Sequence, residues 1–235
     1  MKNDSSTEKE TLSPVALSLH FPSILSNDSI SQVLSWPFQQ KGKEGRLRFW
    51  ERVLSKKDET DLFELCKHLI PELATESQGG KETRRLSGGF GEPDYKYAYK
   101  ETVRTAKPFP PWMKRLKDQV SEMFHQPFEF VLMNYYPDDR SGIGDHADNE
   151  YDMSKRSSIV CLSLGHPHTL RIRYKNEQKH VLQITLPSAP CTRWKKNSKS
   201  FSTTVRFLSQ MMETYPVQYG LVSLSGISSK RNFKH

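Results

Sequence analysis

The alternation of hydrophobic and polar positions divides the chain into an early helical part and a later part made of short strands. Leu47, Phe49 and Val53 alternate with polar residues and predict a strand. From residue 61 the apolar positions recur at helical spacing until Pro71, so a helix is predicted to end there. The apolar face of this helix consists of Leu62, Phe63, Leu65, Cys66, Leu69 and Ile70.

A tyrosine-rich strand and a second helix follow. GGFGEP at 88–93 predicts a turn or loop, and YKYAYKETV at 95–103 alternates tyrosine with polar residues, which predicts a half-buried strand. PFPPWMKRLKDQVSEMFHQP at 108–127 begins with prolines, which favour a helix start, and continues with an amphipathic pattern. The apolar face of this second helix consists of Trp112, Met113, Leu116, Val120 and Met123.

Strand-like segments dominate the second half of the chain. Residues 188–216 are polar and basic and predict a long connection, either a solvated insertion or a surface that follows a nucleic-acid backbone. Helices followed by strands indicate an α+β fold with a double-stranded β-helix (jelly-roll) core and the N-terminal helices packed outside. The predicted strands are FEFVLMNYY (128–136), RSSIVCLSLG (156–165), TLRIRYK (169–175), HVLQITL (180–186) and YGLVSLSG (219–226).

Composition adds limits on partners and compartment. The 235 residues are 35% hydrophobic, and 35 basic against 27 acidic side chains leave a net charge of +8, which favours an anionic partner such as nucleic acid. The three cysteines lie far apart with no C-x-x-C pair, which argues against a zinc ribbon or a disulfide framework and favours a reducing compartment. The N-terminus lacks the apolar segment of a secretory signal, and no apolar run approaches the ~20 residues of a membrane span.

One short segment carries candidate metal chemistry. GIGDHADNE at 142–150 places His146 and Asp148 one residue apart after a turn-rich stretch. Residues i and i+2 of a strand face the same way, so this pair supplies two corners of the facial triad that holds non-haem Fe(II). A histidine and an aspartate exposed in a polar loop are the ordinary alternative.

The surroundings resemble a known family. FVLMNYYPDDRSGIGDHADNE, followed by SIVCLSLG and an arginine-bearing strand, closely resembles the AlkB family of Fe(II)- and 2-oxoglutarate-dependent dioxygenases, in its eukaryotic nucleic-acid-repair form. The resemblance implies iron ligands at His146, Asp148 and His235, where His235 follows the strand YGLVSLSG; the alternative is that His235 is a chain end without a role. It also implies that Asn134 and Tyr136 bind the co-substrate 2-oxoglutarate, whereas a loop cap and a core position are the alternatives for these two residues.

The resemblance further implies oxidative demethylation of N-alkylated bases in DNA or RNA, as in the repair of DNA damage. We expect the protein to be a monomer and to act in the nucleus rather than in the cytoplasm. Tyr97, Tyr99 and Glu150 match positions around a flipped base, and Arg85 matches a segment that leads toward the bound strand and its phosphates. Sheet packing is the alternative for the tyrosines, and a solvated loop is the alternative for Arg85. Two further functions stay open: a non-catalytic nucleic-acid-binding protein and an oxygenase acting on protein.

The chain departs from the family beyond its distal histidine. Family members carry a further strand with two arginines, one of which binds the far carboxylate of 2-oxoglutarate, and this sequence stops before such a strand. Either the sequence is a fragment or the protein does not hold the co-substrate in the family's way, because Lys230 and Arg231 are no obvious substitutes. We therefore expect a disordered tail over 1–45 and a dioxygenase domain over 46–235, incomplete at its C-terminus, with 188–216 as a basic insertion.

Overall fold

The computed structural model describes ten segments of the chain. They contain two α-helices and fifteen strands, which we number in chain order. The segments are 31–37, 44–78, 81–99, 102–138, 140–146, 158–174, 180–186, 191–195, 201–207 and 221–227. The helices are α1 (Lys56–His68) and α2 (Pro111–Met123), and a single 3-10 turn covers Ile70–Glu72. The strands are β1 (Ser31–Pro37), β2 (Glu44–Trp50), β3 (Ala74–Gln78), β4 (Lys81–Gly91), β5 (Lys96–Tyr99), β6 (Thr102–Thr105), β7 (Lys107–Pro108), β8 (Phe130–Tyr136), β9 (Ile143–His146), β10 (Ser158–Gly165), β11 (His168–Tyr174), β12 (His180–Leu186), β13 (Cys191–Lys195), β14 (Phe201–Phe207) and β15 (Leu221–Ile227).

Both predicted helices are present. Ser55 caps α1, because its side-chain oxygen accepts a hydrogen bond from the Asp58 N–H at 3.1 Å. Pro71 lies in the 3-10 turn after α1, where its ring prevents the helix from continuing. Pro111 occupies the first turn of α2, a position at which the missing N–H of proline leaves no hydrogen bond unmade.

Among the described residues the strands form one large sheet, one small sheet and a hairpin. The large sheet has the order β1-β2-β13-β10-β15-β8-β4-β3, with β7 paired to β4. The small sheet has the order β12-β11-β14-β9, and β5 pairs with β6. Every pairing between described strands is antiparallel except that of β7 with β4.

The two faces of the large sheet differ in polarity. One face packs against both helices and forms the hydrophobic core with them. This packing removes the apolar side chains of that face from water. We call the opposite face the inner face, and strand alternation places Ser87, Asn134, Tyr136 and Ser163 on it. The core residues of the sheet include Phe90, Val131, Met133, Val160, Leu162 and Leu164, and those of the helices include Leu62, Cys66, Met113 and Leu116.

Two local predictions on the N-terminal side of α2 were partly wrong. The expected turn or loop over 88–93 begins only after Gly91, because GGFG at 88–91 is the end of β4, where Gly88 and Gly89 pair with Met133 and Leu132 of β8. A Cβ on Gly89 would lie 2.7–2.8 Å from the rings of Phe130 and Tyr97, so glycine is needed here for close packing within a strand. The expected strand at 95–103 is instead the hairpin of β5 and β6.

Two segments expected to be irregular contribute strands. The polar stretch 188–216 contains β13, which pairs with β10 and β2, and β14, which pairs with β11 and β9. Residues 31–37, expected to belong to a disordered tail, form β1 and pair with β2, whereas residues 1–30 lie outside the described part. Polar residues on both faces of these segments hide the strand period, and the pairing partners come from distant parts of the chain. No helix in the described segments is long and apolar enough to cross a membrane.

Candidate functional site

A row of polar residues crosses the inner face of the large sheet. Ser87 of β4 is in register with Asn134 of β8, Asn134 with Ser223 of β15, and Ser223 with Ser163 of β10. Three of these side chains are described, and the exposed fractions are 7% for Ser87, 5% for Asn134 and 3% for Ser163. A buried polar group without a hydrogen bond destabilises the folded protein, so each of these side chains needs a specific hydrogen-bond partner.

The side chain of Asn134 is hydrogen-bonded to two residues of β4. Its side-chain oxygen accepts hydrogen bonds from Arg85 Nη1 at 2.7 Å and from Ser87 Oγ at 2.6 Å. A carbonyl oxygen has two lone pairs, and these two donors fill both. The amide oxygen therefore faces β4, and the two N–H bonds of the same amide face away from that strand.

Tyr136 and Arg85 flank Asn134 on the inner face. Tyr136 is two residues further along β8 and only 2% exposed. Arg85 is two residues before Ser87 on β4 and only 4% exposed. This burial does not favour the expected contact of Arg85 with a phosphate, because phosphates of a bound strand stay at the protein surface and Arg85 bonds to Asn134 instead.

Aromatic rings cover the other end of the inner face. The rings of Tyr97 and Phe130 lie 4.5 Å apart, and those of Tyr95 and Phe130 lie 5.5 Å apart and stacked. Phe130 is four residues from Asn134, roughly 13 Å along an extended strand. Tyr97 thus lies on the same sheet face as Asn134, and its half-buried ring packs against Phe130. Tyr99 is described only in its backbone, at the end of β5.

An ion pair holds the loop that follows β8. Arg84 Nε donates to the Asp138 carboxylate at 2.9 and 3.2 Å, and Ser141 Oγ lies 2.7 Å from the same carboxylate. The Arg84 guanidinium, followed by the Ser141 hydroxyl, lowers the pKa of Asp138 below its usual value. This carboxylate therefore stays ionised and links the residues after β8 to β4.

The expected metal ligands are described in part. His146 is the last residue of β9, and its backbone is in register with Thr203 of β14. Asp148, Glu150 and His235 lie outside the described residues. The set of iron ligands and the contact of Glu150 with a flipped base therefore stay predictions. Within the described part of the chain, no three His, Cys, Asp or Glu side chains are grouped as metal ligands.

Sequence reasoning missed Ser163 of the polar row and His168, the residue that contacts it. His168 Nε2 lies 3.4 Å from Ser163 Oγ, and His168 is 2% exposed at the start of β11. Burial, more than any other influence, lowers the pKa of His168 to about 4, so the ring is neutral at physiological pH. Gly165 ends β10 with φ 95°, a backbone angle that favours glycine, and the short turn after it brings the two residues together. The serine alternating with leucine in SIVCLSLG was the available signal.

Residues 46–205 match the model of the 2OG-Fe(II) oxygenase superfamily, and the chain belongs to that family. Its relatives are AlkB homologues, which confirms the AlkB-like resemblance expected from the sequence. Human DNA oxidative demethylase ALKBH2 is 30% identical over 110 residues, which are 45% of this chain and 42% of that protein. The mouse ALKBH2 is 32% identical over 94 residues, 40% of this chain and 39% of that protein. Mouse alpha-ketoglutarate-dependent dioxygenase alkB homolog 3 is 30% identical over 94 residues, 39% of this chain and 32% of that protein.

The fold has a solved counterpart. The structure of OsALKBH1 superposes with a TM-score of 0.56 at 15% identity and covers 83% of this chain and 100% of that chain. The α+β class, the jelly-roll core and the helices on its outside, all expected from the sequence, are thereby confirmed. The matched segments cover less than half of the length of the curated relatives.

Proposed function

We propose that this protein uses Fe(II) and 2-oxoglutarate to remove N-alkyl groups oxidatively from bases in DNA or RNA. Membership of the 2OG-Fe(II) oxygenase superfamily supports the cofactor and co-substrate. The relatives named DNA oxidative demethylase ALKBH2 support the reaction and the class of substrate. Action in the nucleus, as a monomer, belongs to the same proposal.

The amide of Asn134 is the observation that carries this proposal. Its oxygen is already satisfied by Arg85 and Ser87, so its two N–H bonds are what this buried side chain can offer to a ligand. A carboxylate accepts such bonds, and Tyr136 adds a hydroxyl on the same sheet face. These residues fit a dicarboxylate co-substrate bound against the inner face.

His146, Asp148 and His235 would hold the iron in this proposal. Two histidines and one carboxylate would leave the other coordination positions of the metal open, and the bound metal would activate oxygen. The protein's own contribution is to position both reactants. The Arg84–Asp138 ion pair links β4 to the residues that follow β8, and the buried inner face excludes water from Asn134 and Tyr136.

The substrate base would bind at the aromatic end of the inner face. Tyr97 and Tyr99 belong to the β5–β6 hairpin, whose Tyr97 ring already packs on Phe130. A base turned out of its helix is held by stacking on aromatic rings and by hydrogen bonds to its edge, and Glu150 would supply such a bond. The net charge of +8 favours a polyanionic substrate.

The test is formaldehyde release from N-methylated oligonucleotides, single- and double-stranded, DNA and RNA, with Fe(II) and 2-oxoglutarate. We expect release that requires both additions, that is abolished in His146→Ala and that persists in His68→Ala, a change on the exposed end of α1. Release from methylated peptides alone would favour a protein substrate. Oligonucleotide binding without any 2-oxoglutarate turnover would establish the non-catalytic alternative and overturn the proposal.

A further inference from the structure

We infer that Arg85 and Ser87 are positioning residues that lock the Asn134 side-chain amide with its N–H₂ group toward the co-substrate. The inference rests on the proposed function, because it names how the chain prepares a donor for 2-oxoglutarate. It assigns Arg85 to the co-substrate side of the site rather than to contact with a nucleic-acid phosphate.

An asparagine amide that lacks such partners has two orientations of similar energy. Rotation by 180° exchanges a donor for an acceptor at nearly the same position, and an acceptor there would repel a carboxylate. In this protein the amide oxygen accepts from Arg85 Nη1 at 2.7 Å and from Ser87 Oγ at 2.6 Å. A guanidinium only donates and cannot accept from an amide N–H₂, so Arg85 decides the orientation, and the Ser87 hydroxyl, which can donate or accept, adds the second bond to the oxygen.

Charge and burial strengthen this lock. Arg85 is 4% exposed and Asn134 is 5% exposed, so water does not compete for the bond between them. A hydrogen bond from a guanidinium is charge-assisted, and in a buried site it is stronger than one between neutral groups.

Strand pairing sets the positions of the three groups. Ser87 and Asn134 are in direct register between β4 and β8, and Arg85 follows on the same face of β4. Arg84, one residue away, faces the other way and bonds to Asp138 instead. The two neighbouring arginines therefore have separate roles, one inside the sheet fold and one at its surface.

The lock is tested first without any ligand, by NMR of the Asn134 side-chain amide. The signal is assigned from its absence in Asn134→Asp, whose carboxylate can still accept from both Arg85 and Ser87 and so preserves the fold. We expect two separate, slowly exchanging amide protons in the wild type. In Arg85→Ala these protons should converge and exchange faster, and Ser87→Ala, a milder change, should move them in the same direction. Unchanged amide protons in both variants would overturn the inference, and Ser87→Ala keeps this test available should Arg85→Ala not fold.

The second test measures binding of 2-oxoglutarate by calorimetry, with Mn(II) replacing iron so that no turnover occurs. We expect Arg85→Ala to raise the Kd about tenfold, Arg85→Lys to recover part of the loss, and Asn134→Asp to raise the Kd at least tenfold with the fold retained. Arg115→Ala, an exposed arginine of α2, is the matched control and should leave the Kd unchanged.

A double-variant comparison separates positioning from direct contact. In an Asn134→Ala background, Arg85→Ala should change the Kd less than twofold, because its effect passes through the amide. A tenfold effect in both backgrounds would overturn the positioning role and make Arg85 a direct ligand of the co-substrate. Absence of 2-oxoglutarate binding in the wild type, with the NMR behaviour as expected, would instead refute the proposed function. The fixed orientation of the Asn134 amide would then have no role in binding the co-substrate.

Discussion

The buried histidine next to Ser163 makes the stability of this protein depend on pH in a specific window. Burial lowers the pKa of His168 from 6.5 to about 4 in the folded protein. Above pH 6.5 the ring is neutral in both the folded and the unfolded chain. Between pH 6.5 and 4 only the unfolded chain takes up the proton, so the free energy of unfolding falls as the pH falls through this window.

The size of this effect follows from the two pKa values. One pKa unit corresponds to about 1.4 kcal/mol, so the full loss, reached below pH 4, is about 3 kcal/mol. At pH 5 the same relation gives a loss of about 2 kcal/mol relative to pH 7.5. That is a large fraction of the ~5–15 kcal/mol that stabilises a typical folded domain.

The assay is urea unfolding at pH 7.5, 6 and 5 of the wild type and of His168→Gln, whose amide can still hydrogen-bond Ser163 but does not titrate. The difference in unfolding free energy between the two proteins should shift by about 2 kcal/mol in favour of His168→Gln between pH 7.5 and 5. The variant Val103→Ala, at an exposed position, removes no titratable group and should retain the pH dependence of the wild type. A difference that stays constant across this range would show that His168 is protonated without penalty and would refute the reasoning.

Further predictions concern packing, capping and surface charge. Met113→Ala, at a position 0% exposed, should lower the unfolding free energy by about 2–5 kcal/mol, whereas Val103→Ala, 60% exposed, should change it by less than about 0.5 kcal/mol in the same urea titration. Ser55→Ala removes the cap of α1 and should lower that free energy by about 1 kcal/mol; full stability in this variant would contradict the cap. Arg84→Met should raise the pKa of Asp138 in an NMR titration while changing stability by less than about 1 kcal/mol, because the ion pair is exposed. An Asp138 pKa that does not move would show that Arg84 is not its main partner.

The patterns that predicted the fold are local in the chain. The stripe from Leu62 to Leu69 repeats at the helical period, and the apolar face of α2 does the same, so each helix could be placed before its partner was known. Strong strands such as Phe130–Tyr136 and Ser158–Gly165 were predicted because their hydrophobic content exceeds what a loop would expose. The strands β13 and β14 were missed because their residues become strand-like only between partners such as β10 and β11.

By itself, therefore, the sequence determined the class of fold, the two helices, most of the strands and the family, since these depend on periodicity and on motifs of neighbouring residues. It also singled out Asn134 and Tyr136, but it did not indicate what surrounds them. The bond between Arg85 and Asn134 joins residues 49 positions apart, and that between Ser87 and Asn134 joins residues 47 apart. Only the register of β4 against β8 brings these side chains onto one face, and only burial makes the orientation of a single amide matter.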